Sequence, residues 1–340
     1  MLRVGIIGLG FIGQVHYHSY RALKDQVKFA AVCDIDPSRL QDAGGISGNI
    51  GGAQSKLDLS DVALYSDFGK MLHEQKLDIV SVCLPTYLHA QYAIQALEAG
   101  VNVLCEKPMA MTVAECDSII ATAETSGRKL QVGHVLRFWP EYEWAHQAFF
   151  EGRFGRLLAA HFQRLSQTPT WSSNNWLMDG KLSGGGSFDL HIHDVDYVQY
   201  LLGMPRAVIS RGYCGPTQDI DHIATQYLYQ GDVVVTSVGG WVMTKSFGFR
   251  QAFDLVLEEA SIVFDSSRTP TLRVYPKSGE PFTPEIAQGD AYAREVAHFV
   301  YLVAGQDLPE VITPYESRES VRLVLAEKQS ARTKRTVVLD

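Results

Sequence analysis

The chain has 340 residues, more than one hydrophobic core usually supports, so two domains are expected. Hydrophobic residues make up 46% of the chain and charged residues 20%, a composition that excludes a disordered protein. The formal net charge is −8, and Lys and Arg do not cluster before the Lys334-Arg335 pair. Nucleic acids and anionic membranes are therefore not expected as partners, because both bind basic patches.

The first predicted element is the apolar strand Val4–Ile7, which leads into a glycine-rich turn. The turn reads Gly8-Leu9-Gly10-Phe11-Ile12-Gly13, a G-x-G-x-x-G pattern between a strand and a helix. In such a turn Gly8 permits the tight bend, Gly10 lets a pyrophosphate approach the backbone, and Gly13 lets the helix pack on its strand. The helix N-terminus then meets the phosphate charge. We predict a dinucleotide site that includes Phe11 and Ile12; an ordinary tight turn is the alternative.

The second strand, Phe29–Cys33, ends in Asp34, which lies 21 residues after Gly13. This is about the spacing at which a Rossmann fold brings a carboxylate to the adenosine ribose. A carboxylate placed to accept from a 2′-hydroxyl would repel the 2′-phosphate of NADP, by about 1 kcal/mol in water and about 4 kcal/mol at an effective dielectric constant near 20. NAD is therefore the favoured cofactor. NADP is the less favoured alternative, with Arg39 as the side chain that would meet a phosphate.

Strands and helices continue to alternate after Asp34, which is typical of a parallel sheet. The predicted elements are a buried strand over 78–85, a helix over 88–99, a strand over 101–105, a helix opened by the capping box Thr112–Glu115, and a strand over 130–133. Together they predict a doubly wound Rossmann domain over residues 1–135. Pro85, at the end of the strand over 78–85, and His89, just after it, are candidate cofactor residues. For His89 a structural role is an equal alternative.

From about residue 150 the pattern changes to a helical stretch at 188–202 followed by short runs with β character. These runs lie at 205–214, 222–229, 233–243, 250–258, 261–265 and 271–276. A series of strands without helices between them predicts an open, mostly antiparallel sheet. Helical patterns at 290–304 and 315–332 close the chain. We predict a second, α/β domain over 136–340 for substrate binding and oligomerisation, in which the final helix and tail are placed to pack back on the first domain.

The five cysteines are an odd number, most of them lie in apolar runs, and no C-x-x-C pair occurs. They are expected to be reduced thiols in the core of a cytoplasmic protein. Met1-Leu2-Arg3 leads straight into the first strand. No uncharged apolar run approaches about 18 residues, so neither a secretory signal nor a membrane span is expected.

Glu106-Lys107-Pro108 follows the strand over 101–105, at the carboxyl edge where open α/β sheets bind their ligands. Glu106 and Lys107 are therefore candidate cofactor residues, and Lys107 is expected to point at the binding cleft. A solvated loop lysine is the alternative. Pro108 favours the functional interpretation, because it makes the backbone rigid where a loop would otherwise be flexible.

The segment Gly184–Asp196 is the densest set of titratable groups in the chain. On a helix Asp189, His193 and Asp196 would share one face, whereas His191 would point roughly the other way. A carboxylate one turn before a histidine orients the imidazole and stabilises its protonated form, as a general base requires. A polar helix face and a metal site from these four side chains are the alternatives. No metal is expected, because the two histidines diverge and no cysteine or glutamate completes the ligands.

The loop Thr168–Trp176 carries amides, hydroxyls and indoles that suit a polyol. Trp171, Asn175 and Trp176 are therefore candidate substrate contacts, and a simple connecting loop is the alternative. Arg137 is a weaker candidate for substrate binding, with a structural role as an equal alternative.

These motifs together resemble the Gfo/Idh/MocA oxidoreductase family, which includes glucose–fructose oxidoreductase and inositol dehydrogenase. The resemblance rests on the glycine turn with Asp34, the tripeptide around Lys107, the Asp189-x-x-x-His193 segment and the strand-rich C-terminal half. It implies a Rossmann domain joined to an α/β domain whose exposed sheet face usually packs against a partner subunit. The family's catalytic lysine corresponds to Lys107, and its aspartate and histidine correspond to Asp189 and His193. His191 stands where a small residue is common, and the sequence assigns it no role.

The implied reaction is reversible hydride transfer between NAD and a secondary hydroxyl of a sugar, inositol or other polyol. His193 would accept the hydroxyl proton, Asp189 would hold its ring or contact a neighbouring hydroxyl, and Lys107 would stabilise the developing alkoxide. Two other functions are alternatives: an NAD-dependent glycosidase that oxidises its substrate transiently, and a non-catalytic NAD-binding sugar sensor.

One face of the second sheet is expected to be bare, because only the stretch near 188–202 is long enough to cover it. Runs such as Ala224–Tyr229 and Val233–Val238 make that face too apolar for water. A homodimer or homotetramer that buries this face is therefore predicted. In the alternative, the helices near 290–332 fold back over it.

Overall fold

The computed structural model describes residues 1–41 and 56–339. The chain forms two compact units, each built from two segments. The first unit comprises Met1–Val135 with Asp290–Arg318, and the second comprises Leu136–Gly289 with Glu319–Asp340. No helix in the described residues is both long and apolar enough to cross a membrane.

The strands are numbered here in chain order over the described residues. They are β1 (Leu2–Ile7), β2 (Val27–Cys33), β3 (Ala63–Tyr65), β4 (Ile79–Val82), β5 (Asn102–Cys105), β6 (Leu130–Val132), β7 (Leu157–Gln167), β8 (Ala207–Cys214), β9 (Ile220–Leu228), β10 (Val234–Met243), β11 (Phe249–Leu257), β12 (Ala260–Asp265), β13 (Leu272–Pro276) and β14 (Val337–Val338).

The helices are numbered in the same way. They are α1 (Phe11–Ala22), α2 (Pro37–Gln41), α3 (Phe68–Gln75), α4 (His89–Glu98), α5 (Val113–Ser126), α6 (Pro140–Phe150), α7 (Gly180–Ser183), α8 (Gly186–Asp189), α9 (Ile192–Leu202), α10 (Ala291–Val303) and α11 (Pro314–Thr333). Short 3-10 turns occupy Thr86–Leu88, Val135–Phe138, Ser173–Met178 and Lys245–Phe247.

The sheet of the first unit has six strands in the order β3-β2-β1-β4-β5-β6, and all neighbours run parallel. This order confirms the predicted doubly wound Rossmann fold. It places the switch between the two halves at β1 and β4, where such sheets bind dinucleotides. The predicted capping box is also confirmed, because Thr112 Oγ1 accepts from the backbone N–H of Glu115 while the Glu115 carboxylate accepts from Thr112.

The core of the first unit packs helices α1 and α10 with strands β1 and β2. Val4 and Ile6 of β1 belong to the same fully buried cluster as Tyr20 of α1 and Phe299 of α10. Burying an aliphatic or aromatic side chain of this kind stabilises the fold by about 1.5–3 kcal/mol. The late helix α10 is therefore an integral part of the Rossmann unit.

The sheet of the second unit has eight strands in the order β13-β12-β11-β7-β10-β9-β8-β14. The β7–β10 pair is parallel and the other neighbours are antiparallel, which confirms the predicted mostly antiparallel sheet. The central strand β7 was not predicted from the sequence. Its outward His161 and Gln163 are polar and its inward Arg164 is charged, so the usual hydrophobic alternation is broken.

The inner face of this sheet packs against α6, α9 and the last part of α11. The ring of Tyr142 on α6 lies 4.8 Å from Tyr197 of α9, 4.9 Å from Phe253 of β11 and 5.2 Å from Phe264 of β12, measured between centroids. Edge-on aromatic pairs of this kind add about 0.5–1.5 kcal/mol each beyond their burial. This cluster holds α9, and with it the segment that carries His193, on the sheet.

The outer face of the second sheet is more polar than the sequence suggested. Within the two runs noted above, Ala224, Gln226 and Val234 point outward and are exposed, whereas Tyr227 and Val235 are buried on the inner face. The part of α11 that belongs to this unit contacts the inner face, where Glu327 lies beside Tyr227.

The helical stretch predicted at 188–202 is divided in the structure. Helix α8 ends at Asp189 and α9 begins at Ile192, and the two residues between them, Leu190 and His191, keep right-handed helical dihedral angles. The regular hydrogen-bond pattern is interrupted within the predicted catalytic segment, where the backbone N–H of His191 donates to the carbonyl oxygen of Gly186.

Candidate active site

The three glycines of the turn after β1 have different surroundings. Gly8 has a φ of +90°, and a Cβ there would lie 2.4 Å from the carbonyl oxygen of Cys83. A Cβ on Gly13 would lie 2.0 Å from the carbonyl oxygen of Gly8. A Cβ on Gly10, in contrast, would approach only the Arg39 guanidinium, at 3.7 Å. Gly8 and Gly13 are thus required by packing, whereas Gly10 leaves open space over the backbone.

The first turn of α1 suits the pyrophosphate of NAD. Gly10 is the extended N-cap residue, and no side chain caps this end of the helix. Phe11 and Ile12, which open the helix, are half-buried. Backbone N–H groups at such a terminus bind phosphate oxygens. The open space at Gly10 is the cradle that a pyrophosphate requires, so these residues fit the predicted cofactor.

Asp34 lies at the end of β2 and is 5% exposed. Its Oδ2 accepts from the backbone N–H of Leu9 at 2.7 Å, and its Oδ1 accepts from that of Asp36 at 2.9 Å. The Arg39 guanidinium lies 3.4 Å from Oδ2. Because a carboxylate has about four lone-pair sites, Asp34 keeps acceptor capacity for a ribose hydroxyl.

Glu106 and Lys107 follow β5, which ends at the carboxyl edge of the parallel sheet. Glu106 is buried, its Oε1 lies 3.0 Å from Nε2 of His16, and its Oε2 accepts from the backbone N–H of Lys107. Burial alone would raise the pKa of the Glu106 carboxyl, but the hydrogen bond from His16 and the charge of Lys107 bring it below its ordinary value. The half-buried Lys107 precedes a cis peptide bond to Pro108.

His89 joins the loop after β4 to the loop after β5. Its Nδ1 lies 2.7 Å from the carbonyl oxygen of Pro108, and its Nε2 lies 2.7 Å from that of Leu84. Burial lowers the pKa of His89, and the two carbonyl oxygens oppose that shift. His89 is therefore engaged in holding the two loops, and the neighbouring Pro85 is half-buried.

A buried cluster in the first unit has donor atoms at metal-ligand spacing. His16, Glu106 and Glu295 each place one such atom within 4.8 Å of the others. Among the described residues, the four side chains weighed for a metal in the sequence, Asp189, His191, His193 and Asp196, do not form such a group.

The titratable groups of Gly184–Asp196 divide into two sets. Asp189 and His193 are half-buried. His191, Asp194 and Asp196 are fully buried and are bound by residues distant in sequence. Nε2 of His191 lies 3.0 Å from Oε2 of Glu327, Asp194 pairs with Arg164, and Asp196 pairs with Arg137. Asp189 and His193 are therefore less buried than His191, Asp194 and Asp196.

Arg137 is buried and paired with an acid of α9. It is 2% exposed, and its Nε and Nη2 donate to the two carboxylate oxygens of Asp196 at 2.9 and 2.8 Å. Its guanidinium also lies 4.3 Å from the ring centroid of Tyr200. A buried bidentate pair of this kind is strong and geometrically specific. The structural alternative left open by the sequence is the one that these contacts support.

The three candidate side chains of the loop at 168–176 are all at least partly exposed. Trp171 and Trp176 are half-buried and Asn175 is exposed. Trp176 also packs against the buried cluster of Leu177, Leu190 and Trp241. Asn175 has a φ of 55°, in the left-handed region that asparagine tolerates better than most residues. The loop is thus anchored on the sheet beside α8.

Comparison with known proteins gives the assignment that the geometry suggests. Residues 2–134 match the family model described as an oxidoreductase family with an NAD-binding Rossmann fold, and residues 142–263 match the Gfo/Idh/MocA C-terminal domain. The chain belongs to the Gfo/Idh/MocA oxidoreductase family. The predicted resemblance is therefore confirmed, and so is NAD as the cofactor of the Rossmann unit.

Two curated members of the family illustrate its range. A 2,7-anhydro-N-acetylneuraminate hydratase of Mediterraneibacter gnavus is 29% identical over 208 residues, which are 61% of this chain and 51% of that protein. A D-glucoside 3-dehydrogenase of Escherichia coli is 32% identical over 207 residues, which are 60% of this chain and 55% of that protein. The aligned region thus spans about half the length of these relatives.

A solved family member has the same fold. The WlbA dehydrogenase from Bordetella pertussis, crystallised with NADH and UDP-GlcNAcA, superposes with a TM-score of 0.83 at 19% identity. The match covers 100% of this chain and 99% of that one.

Several residues that organise the site were not found from the sequence. His16 is 90 residues from Glu106 and Glu327 is 136 residues from His191. Arg164, which binds Asp194, is 30 residues away from it. No local motif marks these pairs, because contacts at such separations depend on how strands and helices pack. The one available signal was the unusual residue at position 191.

Proposed function

We propose that the chain transfers a hydride reversibly between NAD and a secondary hydroxyl of a sugar or polyol. The observation that carries the proposal is the division of the Gly184–Asp196 segment. Asp189 and His193 are partly exposed, whereas the other titratable groups of the segment are fully buried in pairs. The open cradle at Gly10 and the placement of Lys107 at the carboxyl edge of the parallel sheet support the same function.

In the proposed reaction each polar side chain has one task. NAD, when bound, supplies the hydride chemistry. His193 accepts the proton of the substrate hydroxyl as that hydroxyl is oxidised, and returns it in the reverse direction. Asp189 orients the imidazole or a neighbouring hydroxyl, and the Lys107 ammonium stabilises the developing alkoxide. Trp171 and Asn175 are proposed substrate contacts; Trp176 is proposed to support their loop, and Arg137 to support α9.

The test is NADH formation from NAD with a panel of free aldoses, inositols and anhydro-sugars. Lys107→Ala and His193→Ala are each expected to lower turnover by about 10²–10⁴ while leaving NAD affinity largely unchanged, because they act on the hydroxyl. Lys70→Ala is the matched control, since Lys70 is an exposed lysine of α3. Either active-site variant with near wild-type turnover would remove that residue from the mechanism.

A second candidate function is transient oxidation without net NADH formation. The hydratase among the relatives favours it, because a hydratase catalyses no net oxidation. Cleavage or hydration of a glycoside or anhydro-sugar that needs NAD but accumulates no NADH would establish this function. NAD binding with neither outcome would establish a sugar sensor instead.

The assembly and location proposed here follow from two further observations. The outer face of the second sheet carries exposed apolar residues such as Val234 and Tyr275 beside polar ones, which supports a homodimer or a homotetramer through that face. All five cysteines are free thiols, four of them buried, which supports the reducing cytoplasm as the location.

A further inference from the structure

Two neighbouring residues of α11, Glu327 and Lys328, reach into the segment that carries Asp189. Lys328 Nζ donates to the carbonyl oxygen of Gly184 at 2.6 Å, and Oε2 of Glu327 accepts from Nε2 of His191 at 3.0 Å. Glu327 and His191 are fully buried and Lys328 is 5% exposed. Gly184 lies five residues before Asp189 and His191 two residues after it, so the contacts bracket this carboxylate.

The charge of Lys328 is balanced by a second contact. Its Nζ lies 2.9 Å from Oδ2 of Asp219, and Arg332 donates to the other oxygen of the same carboxylate at 2.6 Å. Burial lowers the pKa of Lys328, and Asp219 opposes that shift. Arg332 is more than half exposed, and its bond is to Asp219. The chain thus offers two cations that share one acid, of which Lys328 is the one bonded to the segment.

The segment between these contacts has little freedom to adapt. Gly184 has a φ of +75°, and the backbone N–H of Gly186 donates to Oδ1 of the fully buried Asp221. Asp221 also accepts from Trp241 Nε1 at 2.7 Å. Shifts at Gly184 or His191 are therefore transmitted to Asp189 and His193 rather than absorbed between them.

Burying an ionic group in a protein core has an unfavourable desolvation free energy. Replacing a buried ion pair with apolar side chains of similar volume is often neutral or stabilising, so such groups are weak evidence of a stability function. Catalytic side chains, in contrast, need to be held within about 0.5 Å of their productive geometry. Lys328 and Glu327 supply directional bonds on either side of Asp189, at Gly184 and His191.

We propose that Glu327 and Lys328 are positioning residues that set the orientation of Asp189 and His193 for the reaction. The inference rests on the proposed function of Asp189 and His193. It also assigns a role to His191, which links Glu327 to the segment by donating from Nε2 to the Glu327 carboxylate. Neither Glu327 nor Lys328 touches substrate or cofactor in this proposal.

The test compares Lys328→Met and Glu327→Leu with the wild type, using the panel sugar that gives the fastest NADH formation. Both variants are expected to lower kcat about tenfold or more with unchanged NAD affinity, and to lower the melting temperature as well, because each leaves a buried group without its bond. Glu327→Gln keeps an acceptor for His191 and Lys328→Arg keeps a donor for Gly184, so both are expected to restore most of kcat. Arg332→Met is the matched control and is expected to leave kcat unchanged.

Folded Lys328→Met and Glu327→Leu variants with kcat within twofold of the wild type would overturn the inference. If either variant fails to fold, Asp219→Asn weakens the Lys328 pair at a partly accessible position and is expected to lower kcat; an unchanged kcat there overturns the inference equally. The variant His193→Ala distinguishes a failure of the proposed function from a failure of the positioning inference. If it leaves turnover intact, the proposed function fails, whereas an inactive His193→Ala beside fully active Lys328→Met and Glu327→Leu refutes only the positioning function.

Discussion

Gly239 of β10 lies against the imidazole of His191, so closely that a Cβ added to Gly239 would be 2.4 Å from Nδ1 and 2.7 Å from Cβ of His191. The backbone of Gly239 is not in the left-handed region, so the space beneath His191 is the reason for a glycine there. The histidine at 191 and the glycine at 239 are therefore a matched pair.

This pairing predicts non-additive effects on stability. Gly239→Ala is expected to destabilise the protein by about 1–3 kcal/mol through overpacking. Adding His191→Gly removes the clash, so the double variant is expected to be more stable than the sum of the two single changes allows. Urea denaturation of the two single variants and the double variant measures this coupling. Strictly additive free energies of unfolding would contradict the contact.

The glycines of the first turn are predicted to separate cofactor binding from folding. Gly10→Ala places a methyl group in open space, so the fold is expected to survive while NAD affinity falls at least about tenfold. Gly13→Ala directs a Cβ at the Gly8 carbonyl oxygen, 2.0 Å away, and is expected to destabilise the protein by about 1–3 kcal/mol or more. Calorimetric NAD titration and thermal melting distinguish the two. Equal NAD affinities in Gly10→Ala and the wild type would place the pyrophosphate elsewhere.

Asp34 is predicted to set the preference for NAD. Asp34→Ser removes the charge that repels a 2′-phosphate and leaves Arg39 free to meet it, so the preference is expected to move toward NADP by about 1–3 kcal/mol, roughly tenfold to a hundredfold in kcat/KM. Asp36→Ser is the control, because Asp36 is a neighbouring acid that is largely solvated. A wild-type enzyme that prefers NADP would refute this assignment of Asp34.

His146 is predicted to stay neutral in acid. It stacks on Tyr200 with 3.9 Å between ring centroids, and burial together with the charge of Arg137 lowers its pKa from 6.5 to about 4. Between these values the unfolded chain binds a proton that the folded protein does not, so this histidine's contribution to stability is lost as the pH falls from 6.5 to about 4. NMR titration of the imidazole measures the pKa, and His146→Gln is expected to flatten the loss of stability in this range. An imidazole that titrates near 6.5 would refute the prediction.

The outer sheet face is predicted to bury itself against a second copy. Sedimentation at low micromolar concentration is expected to give a dimer or tetramer rather than the 37.7 kDa monomer. Val238, an outward residue of β10, is half-buried, and Val238→Lys is expected to shift the protein toward the monomer because it places a charge in the interface. Lys70→Glu in the first unit is a charge-changing control that is expected to leave the assembly intact.

The Rossmann unit could be predicted from the sequence because its signals are local. Buried strands such as β4 are short apolar runs, and Gly10, Asp34 and Thr112 lie at fixed distances from the elements they serve. The same argument places Lys107 at a strand end. The second unit was harder to predict from the sequence, because β7 alternates polar outward residues with the buried cation Arg164. That cation is compatible with a buried strand position because it pairs with Asp194.

The sequence indicated which residue types form the candidate site. It did not indicate which titratable groups of Gly184–Asp196 are buried in ion pairs and which are partly exposed. Helical spacing put Asp189, His193 and Asp196 on one face, but spacing carries no information about Arg137, which pairs with Asp196 and removes it from the site. The residues around the break between α8 and α9 likewise contact β9, β10 and α11, which the sequence does not mark. Partners that lie 30 to 136 residues away in the sequence decide which titratable groups of the segment are fully buried.

The discontinuous Rossmann unit has a consequence during synthesis. Val296, Phe299 and Val300 of α10 complete the core that residues 1–135 begin, so the nascent sheet lacks part of its apolar cover until residue 318 has left the ribosome. At about 5–20 residues per second, the ribosome needs on the order of 10–40 s to make the intervening chain. The unit that starts with β1 is therefore completed only after the sheet strands β7 to β13 of the other unit have been made, and its apolar core stays partly uncovered throughout that interval.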